Sequence, residues 1–215
     1  MNLDFLLFVP GLLVAIVVHE LAHAWQARRE GDPTAERLGR ITLNPLPHLD
    51  LWGSLLVPAL LWVSNVGFLF GWAKPVPVDP RNYRDPKWGD VRVSLAGVVM
   101  NLVMAVVFTV LWAIVAALGE AGPVWDAVSR IMMFGVLINL VLAFFNLIPI
   151  PPLDGSHVVY HLLPPRLAHG YQALGRFGII LLMALIFLVP QAFGLLLYPV
   201  QVAMGAADWF VRLWI

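Results

Sequence analysis

Long apolar stretches separated by short polar ones organise this chain. Residues 3–27 carry no ionisable group besides Asp4 and a group at 19–23, and about two dozen mostly apolar residues at about 1.5 Å each can cross a bilayer as a helix. Residues 28–50 are polar, with Gly31, Asp32, Pro33, Gly39 and Asn44-Pro45 as breakers; within them Arg40–Leu43 alternates in polarity and predicts a short strand. Residues 51–70 are apolar but interrupted by Pro58, Trp62, Ser64, Asn65 and Gly67. The following GWAKPVPVDPRNYRDPKWGD is too rich in proline for a helix and predicts an extended, edge-like segment. Runs 91–118 and 128–148 predict two spans, the second ended by Pro149, Pro151 and Pro152. Two last runs, about 174–189 and 192–211, are separated by Pro190 and predict a helical pair. Trp25, Trp52, Trp72, Trp112, Trp125 and Trp209 fall near span ends, as an interfacial aromatic belt does.

The expected fold is an all-α polytopic membrane protein of about five to six transmembrane helices, with a re-entrant segment and short extended or β segments near the site. The whole of 1–215 reads as one membrane-embedded domain, a core at about 1–165 followed by the helical pair at about 172–215. Composition agrees: 60% of residues are hydrophobic and 12% charged, and 13 basic residues balance 13 acidic ones, which gives no reason to expect a nucleic-acid partner. There is no cysteine, so disulfides and thiolate metal sites are excluded. The start, MNLDFLLF, lacks a basic n-region and an A-x-A site and does not read as a cleaved signal peptide.

The chemistry is concentrated in the first span, where His19, Glu20 and His23 spell H-E-x-x-H. Ionisable groups in hydrocarbon are costly and are kept where they bind or react. Residues four apart share a helix face, so both imidazoles can converge on one zinc ion, while Glu20, about 100° around, can reach a water at the metal as a general base. The rival is a polar group hydrogen-bonded between helices. A third protein ligand is needed if one position is to stay open. Glu30, Glu36 and Glu120 are available, but Asp154 is the better placed, since it follows a proline-broken helix and precedes Gly155. Asp154 can equally act as N-cap of SHVVYHLL. His48, His157, His161 and His169 read as ordinary interfacial histidines; Asn101 and Asn139 are open between interhelical bonding and substrate contact, and Lys74 has no assigned role.

H-E-L-A-H at 19–23, G-W-A-K-P-V-P-V at 71–78, S-L-A-G at 94–97 with Asn101, and N-L-I-P-I-P-P-L-D-G at 146–155 together resemble the site-2 protease family of intramembrane zinc metalloproteases, over the chain through about residue 165. The resemblance is to compact members without a PDZ or CBS domain. It implies one zinc ion held by His19, His23 and Asp154, Glu20 as the catalytic residue, and Asn146 contacting the scissile region or its oxyanion. Val98, where relatives commonly have proline, departs from the pattern without touching the metal chemistry. The implied activity is hydrolysis of peptide bonds in or near transmembrane segments, as in regulated intramembrane proteolysis. A divalent-metal transporter and an inactive relative that only binds membrane segments are the alternatives.

If the C-terminal half of the first span and the end of 128–148 share a metal, both open to one side, and residues 72–90 lie there too. Residues 51–70 must then re-enter or cross an even number of times. Arg28, Arg29, Arg37, Arg40, Lys74, Arg81, Arg84, Lys87 and Arg92 all fall on that side, which is therefore expected to be cytoplasmic. A prokaryotic plasma membrane and a single-span membrane protein or membrane peptide as substrate are expected; the oligomeric state is open.

Overall fold

The structure is a computed structural model that describes residues 3–57, 60, 63–64, 71–119 and 122–215. Its regular elements are helical: α1 (Leu3–Glu30), α2 (Thr34–Arg37), α3 (Pro86–Leu118), α4 (Pro123–Asn146), α5 (Gly155–Leu162), α6 (Pro165–Ala173), α7 (Gly178–Leu188), α8 (Pro190–Leu196) and α9 (Tyr198–Arg212). Among the described residues four segments are long and apolar enough to cross a membrane: Leu6–Glu30, Pro86–Leu118, Pro123–Asn146 and Pro165–Leu188. The protein is an all-α membrane protein.

Local chemistry sets the helix ends. At the end of α1, Gly31 takes φ 115°, and the amides of Gly31 and Asp32 return to the carbonyls of Arg28 and Ala27, a Schellman closure. Asp85 caps α3 by accepting from the amides of Lys87 and Trp88, with Pro86 in the first turn, and Gly119 at φ 63° ends it. Pro123 opens α4.

α1, α3 and α4 pack against one another as the central bundle. Small residues allow the close approach: a Cβ on Gly11 would lie 3.2 Å from Gly135 Cα, and one on Gly135 would lie 2.3 Å from Phe108 Cδ1. Ala105 and Phe108 of α3, Val136 and Leu140 of α4, and Val200 and Ala207 of α9 form one buried cluster. The polar end of α1 is fixed to α3 by Arg92, which donates through Nε and Nη2 to the two carboxylate oxygens of Glu30 at 2.8 Å each.

Several expectations need correction. No strand forms among the described residues. Within Arg40–Leu43, residues 41–43 are bends, and 71–79 is extended but bonds to loop carbonyls and side chains, so no ladder is built. The predicted span 128–148 begins earlier, at Pro123, because Pro123 can start a helix. The C-terminal pair is instead α6 and α7 joined by a 3-10 turn at Leu174–Phe177, followed by α8 and the 15-residue α9, which is too short to span. Of the predicted re-entrant stretch, Leu51–Leu56 forms a π-helical turn, while 58–59, 61–62 and 65–70 lie outside the described residues, as does Glu120.

Candidate metal centre

α1 carries His19 and His23 one turn apart, with ring centroids separated by 4.6 Å and ring planes at 83°. Their Nε2 atoms are 3.0 Å apart. Asp154, on the turn between α4 and α5, brings Oδ2 to 3.2 Å from His19 Nε2 and 3.4 Å from His23 Nε2. These are the three groups among the described residues whose ligand atoms converge closely enough to hold an ion. His19 is buried, while His23 and Asp154 are half-buried.

The turn that delivers Asp154 is built from its sequence. After α4, the amides of Ile150, Leu153 and Ser156 bond to the carbonyls of Ile148, Ile150 and Leu153. Gly155 sits so close to Leu147 that a Cβ would fall 2.3 Å from the Leu147 carbonyl oxygen, and Gly178 of α7 leaves the same lack of room beside Pro151. The side chain of Asp154 makes no capping bond to α5, although its position is that of an N-cap. The carboxylate turns to the histidines instead.

Three observations test whether these residues suit zinc. A tetrahedral site with bonds of 2.0–2.1 Å has ligand atoms about 3.3 Å apart, and the three edges here are 3.0, 3.2 and 3.4 Å. Asp154 Oδ2 is buried and accepts no aligned hydrogen bond despite its two near neighbours, as expected of an atom facing a cation. His23 Nδ1 lies 2.7 Å from the Val93 carbonyl, which can only accept, so Nδ1 carries the hydrogen and Nε2 offers its lone pair to the centre. The residues fit the metal.

α3 forms the wall behind the imidazoles. A Cβ at Gly97 would lie 2.5 Å from both His19 Cε1 and His23 Nε2, so the backbone itself makes this surface. Beside it, Asn101 Oδ1 is 2.6 Å from His19 Nδ1, and Asn101 Nδ2 lies 3.1 Å from the Ala15 carbonyl and 2.9 Å from Asn139 Oδ1.

Glu20 is half-buried and outside the converging three; its Oε2 accepts from the Val76 amide at 2.8 Å. Val76 belongs to the extended segment 71–79, which is tied down along its length. The Trp72 amide bonds to the Gly53 carbonyl, the Lys74 amide to the His48 carbonyl, and the Asp79 amide to Asp32 Oδ2 at 2.7 Å. Arg40 donates to the Lys74 carbonyl, so the part of Lys74 used here is its backbone. Asn146 ends α4 and donates from Nδ2 to the Leu142 carbonyl of its own helix; that bond does not bring it to the three converging groups.

His169 is exposed and bonds to the Pro165 carbonyl of its own helix, but the other three histidines are less ordinary than their sequence context suggests. His48 is fully buried, with Nε2 on the Thr42 carbonyl. His157 and His161, one turn apart on α5, both reach Asp90 Oδ2, at 2.9 and 2.8 Å. The Asp90 carboxylate raises the pKa of His157 above its usual range. The four-residue spacing of this pair was the available signal. These three residues line a cavity of about 570 Å³ together with Arg81, Tyr160 and Tyr171. Val76 could not have been singled out, because its contribution is a backbone amide.

The sequence profile of Peptidase family M50 matches residues 7–121 and 112–185. A Bacillus subtilis protein named "Putative zinc metalloprotease YwhC" is 37% identical over 179 residues, covering 82% of this chain and 78% of the relative. The Mycolicibacterium smegmatis protein named "Putative zinc metalloprotease Rip2" is 29% identical over 191 residues, covering 85% of this chain and 67% of its own. No solved structure matches the chain significantly. Since the profile takes in α1 with its two histidines as well as the turn that carries Asp154, the chain belongs to peptidase family M50.

Proposed function

We propose that this protein is an intramembrane zinc metalloprotease that hydrolyses peptide bonds in or near transmembrane segments of membrane proteins, in the manner of regulated intramembrane proteolysis. The observation that carries the reading is the convergence of His19, His23 and Asp154 within a bundle of apolar helices. In it, those three residues hold the ion. Zinc bound there supplies Lewis-acid polarisation of the scissile carbonyl and lowers the pKa of water. Glu20 takes the proton of the attacking water and delivers it to the leaving nitrogen. The Val76 amide occupies Glu20 Oε2 and thereby orients the carboxylate, leaving Oε1 to handle the proton. Asn146 contacts the scissile region or its oxyanion, using the N–H that the Leu142 bond does not engage.

The same reading puts the site toward the cytoplasm of a prokaryotic plasma membrane, in a bundle of about five to six transmembrane helices with residues 51–70 as a re-entrant segment. Nine of the thirteen basic residues, from Arg28 to Arg92, support that orientation. The substrate is a single-span membrane protein or membrane peptide.

The test compares wild type with Glu20→Gln, purified in detergent, for zinc content and for cleavage of a panel of single-span substrates. Both proteins are expected to hold zinc, with cleavage reduced about 10²–10⁴-fold or more in the variant. Absence of zinc from the wild type, or undiminished cutting by the variant, would overturn the proposal.

A further inference from the structure

Asn101 and Asn139 are completely buried, and the sequence leaves both between a bonding and a substrate-contact role. Their bonds have a direction that can be worked out from the ends. The Gly135 carbonyl can only accept, and Asn139 approaches it at 2.8 Å, so the atom facing it is the amide nitrogen. Asn139 Oδ1 is thereby turned toward Asn101. The Ala15 carbonyl and Asn139 Oδ1, at 3.1 and 2.9 Å, are both acceptors, so the atom of Asn101 between them is its NH₂. Asn101 Oδ1 is then the atom that faces His19 Nδ1 at 2.6 Å, and it can only accept. His19 must carry its hydrogen on Nδ1.

We propose that Asn139 and Asn101 form a one-directional hydrogen-bond relay that locks His19 in the tautomer with its lone pair on Nε2, facing Asp154 and His23, and so raises the affinity of the centre for a divalent metal. The role for metal affinity rests on the metalloprotease reading; the tautomer does not. Asn139 is a positioning residue: its bonds go to Asn101 and Gly135 and to none of the three converging groups. The relay crosses all three central helices, from α4 through α3 to α1. Because both asparagines are fully buried, a reversed amide would leave carbonyl facing carbonyl with no water to compensate, which is what holds the direction. His23 reaches the same tautomer by a shorter route, the single carbonyl of Val93. The two imidazoles therefore have independent locks.

The test uses the full chain in detergent with ¹⁵N-labelled histidine. Two-bond ¹⁵N–¹H correlation spectra report the His19 tautomer in metal-free protein, and competition with a chelator reports zinc affinity. Metal-free wild type is expected to show Nδ1–H at His19. Asn139→Leu and Asn101→Leu are expected to show mixed tautomers and roughly 10–100-fold weaker zinc binding. The tautomer at His19 is itself the readout that a merely space-filling role would not move. Nδ1–H lost from wild-type His19 overturns the proposal even if the leucine variants fail to fold. So does wild-type affinity, or an unmixed Nδ1–H tautomer at His19, in a folded Asn139→Leu. Wild type with Nδ1–H but no zinc binding would overturn the metalloprotease reading while the tautomer lock stood.

Discussion

Asp32 shows how one side chain can organise a loop around a site. It is fully buried and accepts from the Thr34 amide and hydroxyl, the Asn82 amide group and the Asp79 backbone amide, joining the end of α1 to the segment that leads into α3. Burial alone would raise its pKa, but hydrogen bonds from Thr34, Asp79 and Asn82 outweigh this and hold the carboxyl below its usual value of 3.8. A depressed pKa means that its stabilisation is complete above the unfolded value and lost as pH falls through the lower folded one. Asp32→Ala is expected to cost about 3 kcal/mol at pH 7, since it strands buried donors. The difference in melting temperature between the two proteins should shrink below about pH 4. At this scale the sequence is legible where a side chain does the chemistry. His19, Glu20, His23 and Asp154 stand out by type and spacing, whereas the Val76 amide and the wall at Gly97 are backbone features that any side-chain pattern conceals.

Elements were legible in proportion to their apolar length. α1, α3 and α4 follow from their runs and from end signals such as Asp85-Pro86 and Gly119, because those signals act within a few residues. The prolines of 71–79 announce a non-helical, extended segment, but not that its partners are residues 48 and 53 and the side chains of Glu20 and Asp32 in place of a neighbouring strand. Tertiary pairing of that kind has no sequence period. The Asp90 link to His157 and His161 is a middle case: the two histidines advertise a shared face, but nothing nearby in sequence names a partner 67 and 71 residues away. Packing of α4 on α1 and α3 hinges on Gly135, against which Gly11 and Phe108 lie. Gly135→Ala should therefore destabilise the bundle by about 1–3 kcal/mol through overpacking. Thermal unfolding in detergent measures this, and a variant as stable as wild type would remove the crossing from the list of constraints on the fold.

For the molecule as a whole, the absence of cysteine offers a clean test of orientation. Single cysteines at exposed Leu38 and at exposed Val124, at opposite ends of the bundle in the proposed topology, should behave oppositely toward a membrane-impermeant maleimide in intact cells. Val124→Cys is expected to label and Leu38→Cys to label only after permeabilisation; the reverse pattern would invert the cytoplasmic assignment. The depth of 71–79 has a separate consequence. Val76 meets Glu20, ten residues before the end of α1, or about 15 Å below the helix end. Irregular backbone at such a level is tolerated only if protein or a water-filled cavity satisfies it. Six of the nine residues of the segment manage this without an unpaired amide donor. The amides of residues 72, 74, 76 and 79 are each accepted by protein, and Pro75 and Pro77 have no N–H to place. The prolines that forbid a helix here also remove donors that a low-dielectric setting would penalise, so a peptide strand laid beside residues 75 and 77 would find carbonyls to donate to and no amides to accept from.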